Sequence, residues 1–171
     1  VSTLPYIRLR SGRKFHFLNP APSEIDIKDI AWALSHICRF TGHVKEFYSV
    51  AQHCCHVCDI LPDEFKLQGL LHDGQESFVS DLAQPVKQFL PQYKELELKI
   101  EKVLTKKFGL AFPMPAEVKT ADMVLLVTEM RDLMRGGDYK HIPFSPMGKK
   151  IKPWTADKAR REFLKRFKQL T

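Results

Sequence analysis

From residue 26 onward the apolar residues of this chain recur at helical spacing, and prolines, glycines and capping residues cut the pattern into segments. Asp26 can cap a first helix with the stripe Ile27, Ile30, Ala31, Leu34, Ile37 and Cys38. A second runs from about Phe47 or Ser49 to Leu61 and stops at Pro62. Asp63 caps a third, whose Phe65, Leu67, Leu70 and Leu71 lead into His72-Asp73. An interrupted region containing Pro85 precedes a long amphipathic helix, about 92–108. Its stripe is Tyr93, Leu96, Ile100, Val103 and Leu104, and Gly109 stops it. Pro115 suits the first position of the next helix, which runs through Met134 to Gly136-Gly137. A loop rich in Pro and Gly follows, about 138–154. Thr155 then caps a last helix with Phe163, Leu164 and Phe167 inside. Residues 1–24 read differently: Ile7 and Leu9, then Phe15 and Phe17, alternate with basic or polar residues around Ser11-Gly12, as in a short two-stranded ribbon. The expectation is an all-α helical bundle with an extended N-terminal arm or β-ribbon, in one domain spanning 1–171.

The chain has 171 residues, 44% apolar and 27% charged, the composition of an ordinary globule rather than of a disordered or collagen-like chain. Folding should remove roughly 70% of its surface from water, enough for one sizeable core. The longest aliphatic stretch, Met123 to Val127, falls far short of the roughly 20 residues that span a bilayer. The first ten residues contain no apolar run of the secretory kind. Three of the four cysteines (Cys54, Cys55, Cys58) crowd onto one helix, where adjacent pairs bridge poorly, so they read as buried thiols of a reducing cytoplasm. A zinc knuckle from His53-Cys54-Cys55-His56-Val57-Cys58 lacks the separated ligand pairs of a structural site.

His53 falls in the middle of the second helix. His72-Asp73 closes the third, and Asp122 opens the helix that continues into Met-Val-Leu-Leu-Val. Each is tied to an apolar stretch, where an unpaired ionisable group is costly. Coordination of a divalent ion relieves that cost, and a mixed imidazole and carboxylate set suits a transition metal. Glu76 stands three residues after Asp73 and four after His72, so a continuing helix would turn it to the same side. Asp81, Pro85 and Lys87 follow. A bound ion acidifies water, a neighbouring carboxylate moves a proton, and Lys87 with Arg39 could hold a phosphate. Those parts suffice for phosphoester hydrolysis. Each motif alone is weak: a single His on an apolar helix is usually a satisfied core residue.

Taken in order, His53…His72-Asp73…Asp122 resembles the signature of the HD-domain metal-dependent phosphohydrolases. The segments Ile30–Ser35, Cys38–His43, Tyr48–His53, Leu70–Glu76, Asp81–Lys87 and Thr128–Leu133 are further similar to a phage and prophage subgroup, the YfdR-like proteins. The resemblance covers about residues 5–135. It implies an HD-type helical bundle and one divalent ion (Mn, Co, Zn, Fe, Ni or Mg) held by His53, His72, Asp73 and Asp122. By similarity to the 5′-deoxynucleotidases of that superfamily, Glu76 would be the acid/base residue, Asp81 would assist it or contact the sugar, and Arg39 would contact phosphate or sugar. The interval between His53 and His72 is shorter than in those enzymes, so contacts from the connecting loop do not carry over. Gly74 and Gln75 also depart from the residues that often follow the His-Asp pair.

The function expected is hydrolysis of a nucleotide phosphate ester, with release of a 5′-phosphate from (deoxy)nucleoside monophosphates preferred. Cleavage of a deoxynucleoside triphosphate to nucleoside and triphosphate is the near alternative, and an idle nucleotide- or nucleic-acid-binding module is an alternative of another class. Alarmone hydrolysis ranks last, because Ser77 rather than a second acid follows Glu76. Phe15, Phe17, Trp32 and Tyr48 are candidates for stacking on a base, with core packing the better assignment for each. The formal charge is +7. The basic final helix, with Lys158, Arg160, Arg161, Lys165, Arg166 and Lys168, reads as a solvated face. A nucleotide substrate already accounts for a positive field, so a nucleic-acid partner is disfavoured. The resemblance further implies a homo-oligomer, and the short aliphatic stretches speak against a membrane partner.

Overall fold

The computed structural model describes residues 5–136 and 138–171; residues 1–4 of the expected arm and Gly137 of the expected helix stop lie outside them. The fold is mostly helical with one small antiparallel sheet, as expected in outline. In chain order the elements are β1 (Tyr6–Arg8), β2 (Lys14–His16), α1 (Ile27–His36), α2 (Val50–Ile60), α3 (Asp63–Leu71), α4 (Glu76–Val79), α5 (Gln84–Lys87), α6 (Pro91–Phe108), α7 (Ala116–Leu133) and α8 (Ala156–Leu170). No described helix is long and apolar enough to cross a membrane.

Local chemistry sets the helix ends. The carboxylate of Asp26 accepts from the Lys28 amide, the Ser49 hydroxyl from Gln52 and the Thr155 hydroxyl from Lys158, so α1, α2 and α8 each begin on a side-chain cap. Gly109 closes α6 in the left-handed conformation, at φ 66°. Two starts differ by one residue from the expectation. Pro62 and Pro115 are themselves the capping positions of α3 and α7, and Asp63 lies inside α3. Their carbonyls accept the first bonds, from Phe65 and Lys119, a role that needs no N–H from the proline. Because α7 begins at Ala116, Asp122 sits in its second turn rather than at its opening.

The helix α2 is the hub, packed against α1, α3, α7 and α8. A larger core gathers residues of α1, α2, α3, α6 and α8 with Phe15 of the ribbon. A smaller one joins Val57 and Leu61 to Val118, Ala121, Leu125 and Leu133 of α7. Strand register places Tyr6 opposite His16, Ile7 opposite Phe15 and Arg8 opposite Lys14. Alternation therefore sends Ile7, Leu9, Phe15 and Phe17 into the core, where Phe15 stacks on Phe78 of α4 at 3.9 Å between centroids. Phe15 and Tyr48 are fully buried, which assigns both to packing.

Candidate metal centre

His53 lies in the first turn of α2, nearer its start than the middle expected, and is completely buried because the Ser49 cap and the neighbours Val50, Ala51, Cys54 and Val57 hold this part of α2 in the interior. His72 is the residue on which α3 ends. Beyond it the α-helix does not continue as far as Glu76. Residues 72–75 form a tighter turn in which Gly74, Glu76 and Ser77 donate to the carbonyls three residues earlier, those of Leu71, Asp73 and Gly74. That turn still brings His72, Asp73 and Glu76 to one region, with α4 starting at Glu76 itself.

The four residues singled out as metal ligands meet. His53 Nε2 lies 3.3 Å from His72 Nε2, 3.1 Å from Asp122 Oδ1 and 3.6 Å from Asp73 Oδ2. His72 Nε2 lies 3.3 Å from Asp73 Oδ2 and 3.9 Å from Asp122 Oδ1. Donor atoms about 2.1 Å from one ion stand about 3.0 Å apart across an octahedral edge and about 3.4 Å across a tetrahedral one. Three of these separations match those edges and two are wider; His53, His72 and Asp122 form one close donor group that could hold an ion, and Asp73 joins it through His72.

The far side of each ring supports the same conclusion. His53 Nδ1–H donates to Glu129 Oε1 at 2.6 Å, and His72 Nδ1–H donates to the Gly69 carbonyl at 2.8 Å. Both acceptors lack protons, so each Nδ1 carries the hydrogen and, in a neutral ring, each Nε2 presents a bare lone pair to the other. Two lone pairs facing each other need a cation between them, or a proton on one ring that the other accepts. Protons compete with a metal for these positions. Burial opposes charge on His72, but Asp73 and Cys54 overcome it and raise its pKa well above the ordinary histidine range. For His53, burial and Arg39 push the pKa down while Glu129 and Asp122 push harder upward. Asp73 is held low, against its burial, by His72, His53 and Arg39. Asp122, whose side chain is 39% exposed, is the most open of the four candidates, and Asp73 is partly exposed.

Around this set, among the described residues, the acids Asp73, Asp81, Glu97, Asp122 and Glu129 outnumber the Arg39 and Lys87 cations beside them, even before Glu76 is counted. A divalent ion offsets that excess, and the residues present fit one. Cys54, next to His53, forms with His72 and Asp73 a second group of donor atoms close enough to share an ion. Cys55 and Cys58 are buried free thiols elsewhere on α2, and His56 bonds to Gln52 instead, so the knuckle sequence makes no single site.

Glu76 is buried, and its Oε2 has no hydrogen-bond partner among the described residues. Desolvation first, then the charges of Asp73 and Asp81, raise its pKa well above the usual carboxylate range. Asp81 is raised for the same leading reason, burial, with Asp73 adding to it. Between the two acids lies Ser80, at φ 74° and ψ 164°, a conformation nearly reserved for glycine. Its amide donates to the Glu76 carbonyl and its own carbonyl accepts from the Tyr93 hydroxyl at 2.7 Å, which together hold the strain in place. Lys87 Nζ is 4.0 Å from Glu76 Oε1 and is anchored at 2.7 Å by Glu97 of α6. Arg39 is engaged as well: Nε and Nη2 each lie 3.1 Å from Glu129 Oε2, and Nη1 lies 3.6 Å from Asp73 Oδ2. Both residues assigned to phosphate are thus already tied to carboxylates beside the centre.

Glu129 is the member that sequence reasoning left without a role. It is completely buried on α7, two helical turns after Asp122, and it serves His53 with one oxygen and Arg39 with the other. An acid inside the run Val127-Thr128-Glu129-Met130 was the available signal, since a buried carboxylate requires partners.

Over 130 residues the chain is 43% identical to the uncharacterized protein YfdR of Escherichia coli (strain K12), an alignment spanning 76% of this chain and 73% of that protein. Over 124 residues it is 33% identical to an uncharacterized protein of Rhodobacter capsulatus, spanning 67% of this chain and 63% of the other. No family model matches the chain.

Proposed function

The chain belongs to the family of Escherichia coli YfdR, and from the chemistry of its candidate centre we propose that it is an HD-type, metal-dependent phosphohydrolase that acts on nucleotides. The preferred reaction is release of the 5′-phosphate from a (deoxy)nucleoside monophosphate. The observation that carries this reading is the pair of Nε2 atoms 3.3 Å apart, flanked by Asp73 and Asp122, with Glu76 buried alongside.

A divalent ion held by His53, His72, Asp73 and Asp122 would polarise a phosphoryl oxygen and acidify a water. The remaining work belongs to the chain. Arg39 and Lys87 supply positive charge beside the centre, where equatorial oxygens of a phosphoryl group gain charge in the transition state. Their carboxylate partners keep both side chains in place before substrate arrives. In the overall step a water oxygen bonds phosphorus while the bond from phosphorus to the 5′ oxygen breaks. Glu76, protonated by virtue of its raised pKa, gives its proton to the departing oxygen and regains one from the attacking water. Asp81, also shifted upward, stands close enough in charge to Glu76 to share that proton traffic.

The test is a screen of purified protein over nucleoside mono- and triphosphates with Mn²⁺, Co²⁺ or Mg²⁺, with metal content measured in parallel. Phosphate release from monophosphates is expected. Triphosphate release from deoxynucleoside triphosphates would move the assignment to the other chemistry of the superfamily, and neither product from metal-loaded protein would remove it.

A further inference from the structure

The charge of this protein is concentrated at its two ends, and the fold brings those ends together. Residues 5–18 carry four cations (Arg8, Arg10, Arg13, Lys14) and no acid, while residues 155–171 carry six cations and two acids. The stretch between them has one acid more than it has cations, so the ends account for the entire positive balance. As strands, β1 and β2 turn Tyr6, Arg8, Lys14 and His16 to the side opposite the core. At the other end, α8 packs on α1 through buried Ala159 and Phe163 and leaves its basic residues outward.

The two basic segments meet at Trp32 of α1. The Arg10 guanidinium lies 4.5 Å from the centre of that ring, the Arg160 guanidinium 6.0 Å from it, and His36 stacks against it at 4.5 Å. The same pairing recurs on either side. Lys14 stands 4.5 Å over exposed Tyr6 on the ribbon, and Lys158 stands 5.0 Å over Trp154 just before α8. Arg13, Arg160, Arg161 and Arg166 have acidic partners. Arg8, Arg10, Lys14, Lys158, Lys165 and Lys168 have no ion pair among the described residues, and all six are exposed.

We infer that this face, from the ribbon across Trp32 to α8, binds single-stranded nucleic acid. Unpaired cations suit any polyanion, but cations set repeatedly against half-exposed rings suit one with flat bases between its phosphates. A duplex hides those base faces, so the single strand is the form selected. None of these side chains contacts the metal centre, and the inference stands apart from the proposed hydrolysis.

The experiment is a fluorescence anisotropy titration of a labelled oligothymidylate of about twenty nucleotides with the full chain, from about 50 to 200 mM salt. Saturable binding is expected, with a logarithmic salt slope of about −3 if four phosphate contacts form. Arg10→Glu with Arg160→Glu should weaken binding by about tenfold or more at the lower salt. Lys106→Glu with Lys107→Glu, on exposed positions of α6, changes the net charge equally and should leave affinity within about twofold. Circular dichroism melts confirm that both variants fold. Absence of binding at low salt, equal weakening in both double variants, equal affinity for a duplex, or binding confined to anionic vesicles would each overturn the inference.

Discussion

Glu129 and His53 share a 2.6 Å hydrogen bond between carboxylate and imidazole, and the second oxygen of the same carboxylate receives Arg39. Burial works against the charge on Glu129, yet Arg39 and His53 hold its pKa below the usual range. One buried acid therefore fixes the tautomer of a candidate ligand and the position of a cation together.

Replacing Glu129 separates those roles. Glu129→Gln keeps the shape but loses the charge that makes His53 a strong donor, and metal affinity should fall about 10–100-fold in a competition titration with a chelating dye. Glu129→Ala also strands the Arg39 guanidinium in the interior, with Asp73 at 3.6 Å as its remaining partner, and should cost about 3–5 kcal/mol in denaturant unfolding. Unchanged affinity in the Gln variant would dismiss the orienting role.

Glu76→Gln should retain metal and lower turnover by about a hundredfold to ten-thousandfold. The thermal midpoint should change little, because the native side chain already leaves one oxygen without a partner and the amide, like the protonated acid, carries no charge to desolvate. Turnover persisting near the wild-type value would point to Asp81 as the proton carrier.

Gly69 lies where α3 crosses α2. A Cβ there would collide with Leu61 Cδ1 and approach Val57 Cγ1 at 3.4 Å. Its carbonyl also takes the Nδ1 proton of His72. Gly69→Ala should cost about 1–3 kcal/mol through overpacking and weaken metal binding by moving His72. Chemical denaturation with a parallel metal titration reads both effects, and loss of stability with unaltered metal affinity would uncouple the helix crossing from the ligand.

His56 accepts a hydrogen bond from Gln52 and lies against Trp154, and burial lowers its pKa to about 4. The unfolded chain takes up this proton near the ordinary value of 6.5 and the folded chain does not, so its contribution is complete above pH 6.5 and disappears as pH falls toward 4. The loss should reach about 2–3 kcal/mol. Glu76 titrates in the opposite sense over part of that window. The informative quantity is thus the wild-type stability minus that of His56→Gln, followed from pH 7 to 4; a flat difference would show that the ring is not kept neutral by the fold.

Much of this architecture could be read from the residues because its signals are local. Asp26, Ser49 and Thr155 cap their helices with their own side chains, and Gly109 needs only its own backbone to end α6. That His53, His72 and Asp122 come close together, with Asp73 beside His72, is what the family resemblance of their order implied. The turn at residues 72–75 was not readable, since the choice between three- and four-residue hydrogen bonds depends on what Glu76 packs against. Glu129 escaped because its importance lies in two partners, 76 and 90 residues away. The convergence of the ribbon and α8 on Trp32 likewise depends on tertiary packing, and α8 viewed alone was only a charged face.

Gln52, buried one residue before His53, spends its amide on the chain a hundred residues later: Nε2–H donates to the Lys152 carbonyl, and Oε1 accepts from the Trp154 amide. The segment leading into α8 is therefore a strap buckled directly onto the helix that presents the first ligand. Cutting the chain before Lys152 would unfasten the buckle and leave a dry amide at the heart of α2.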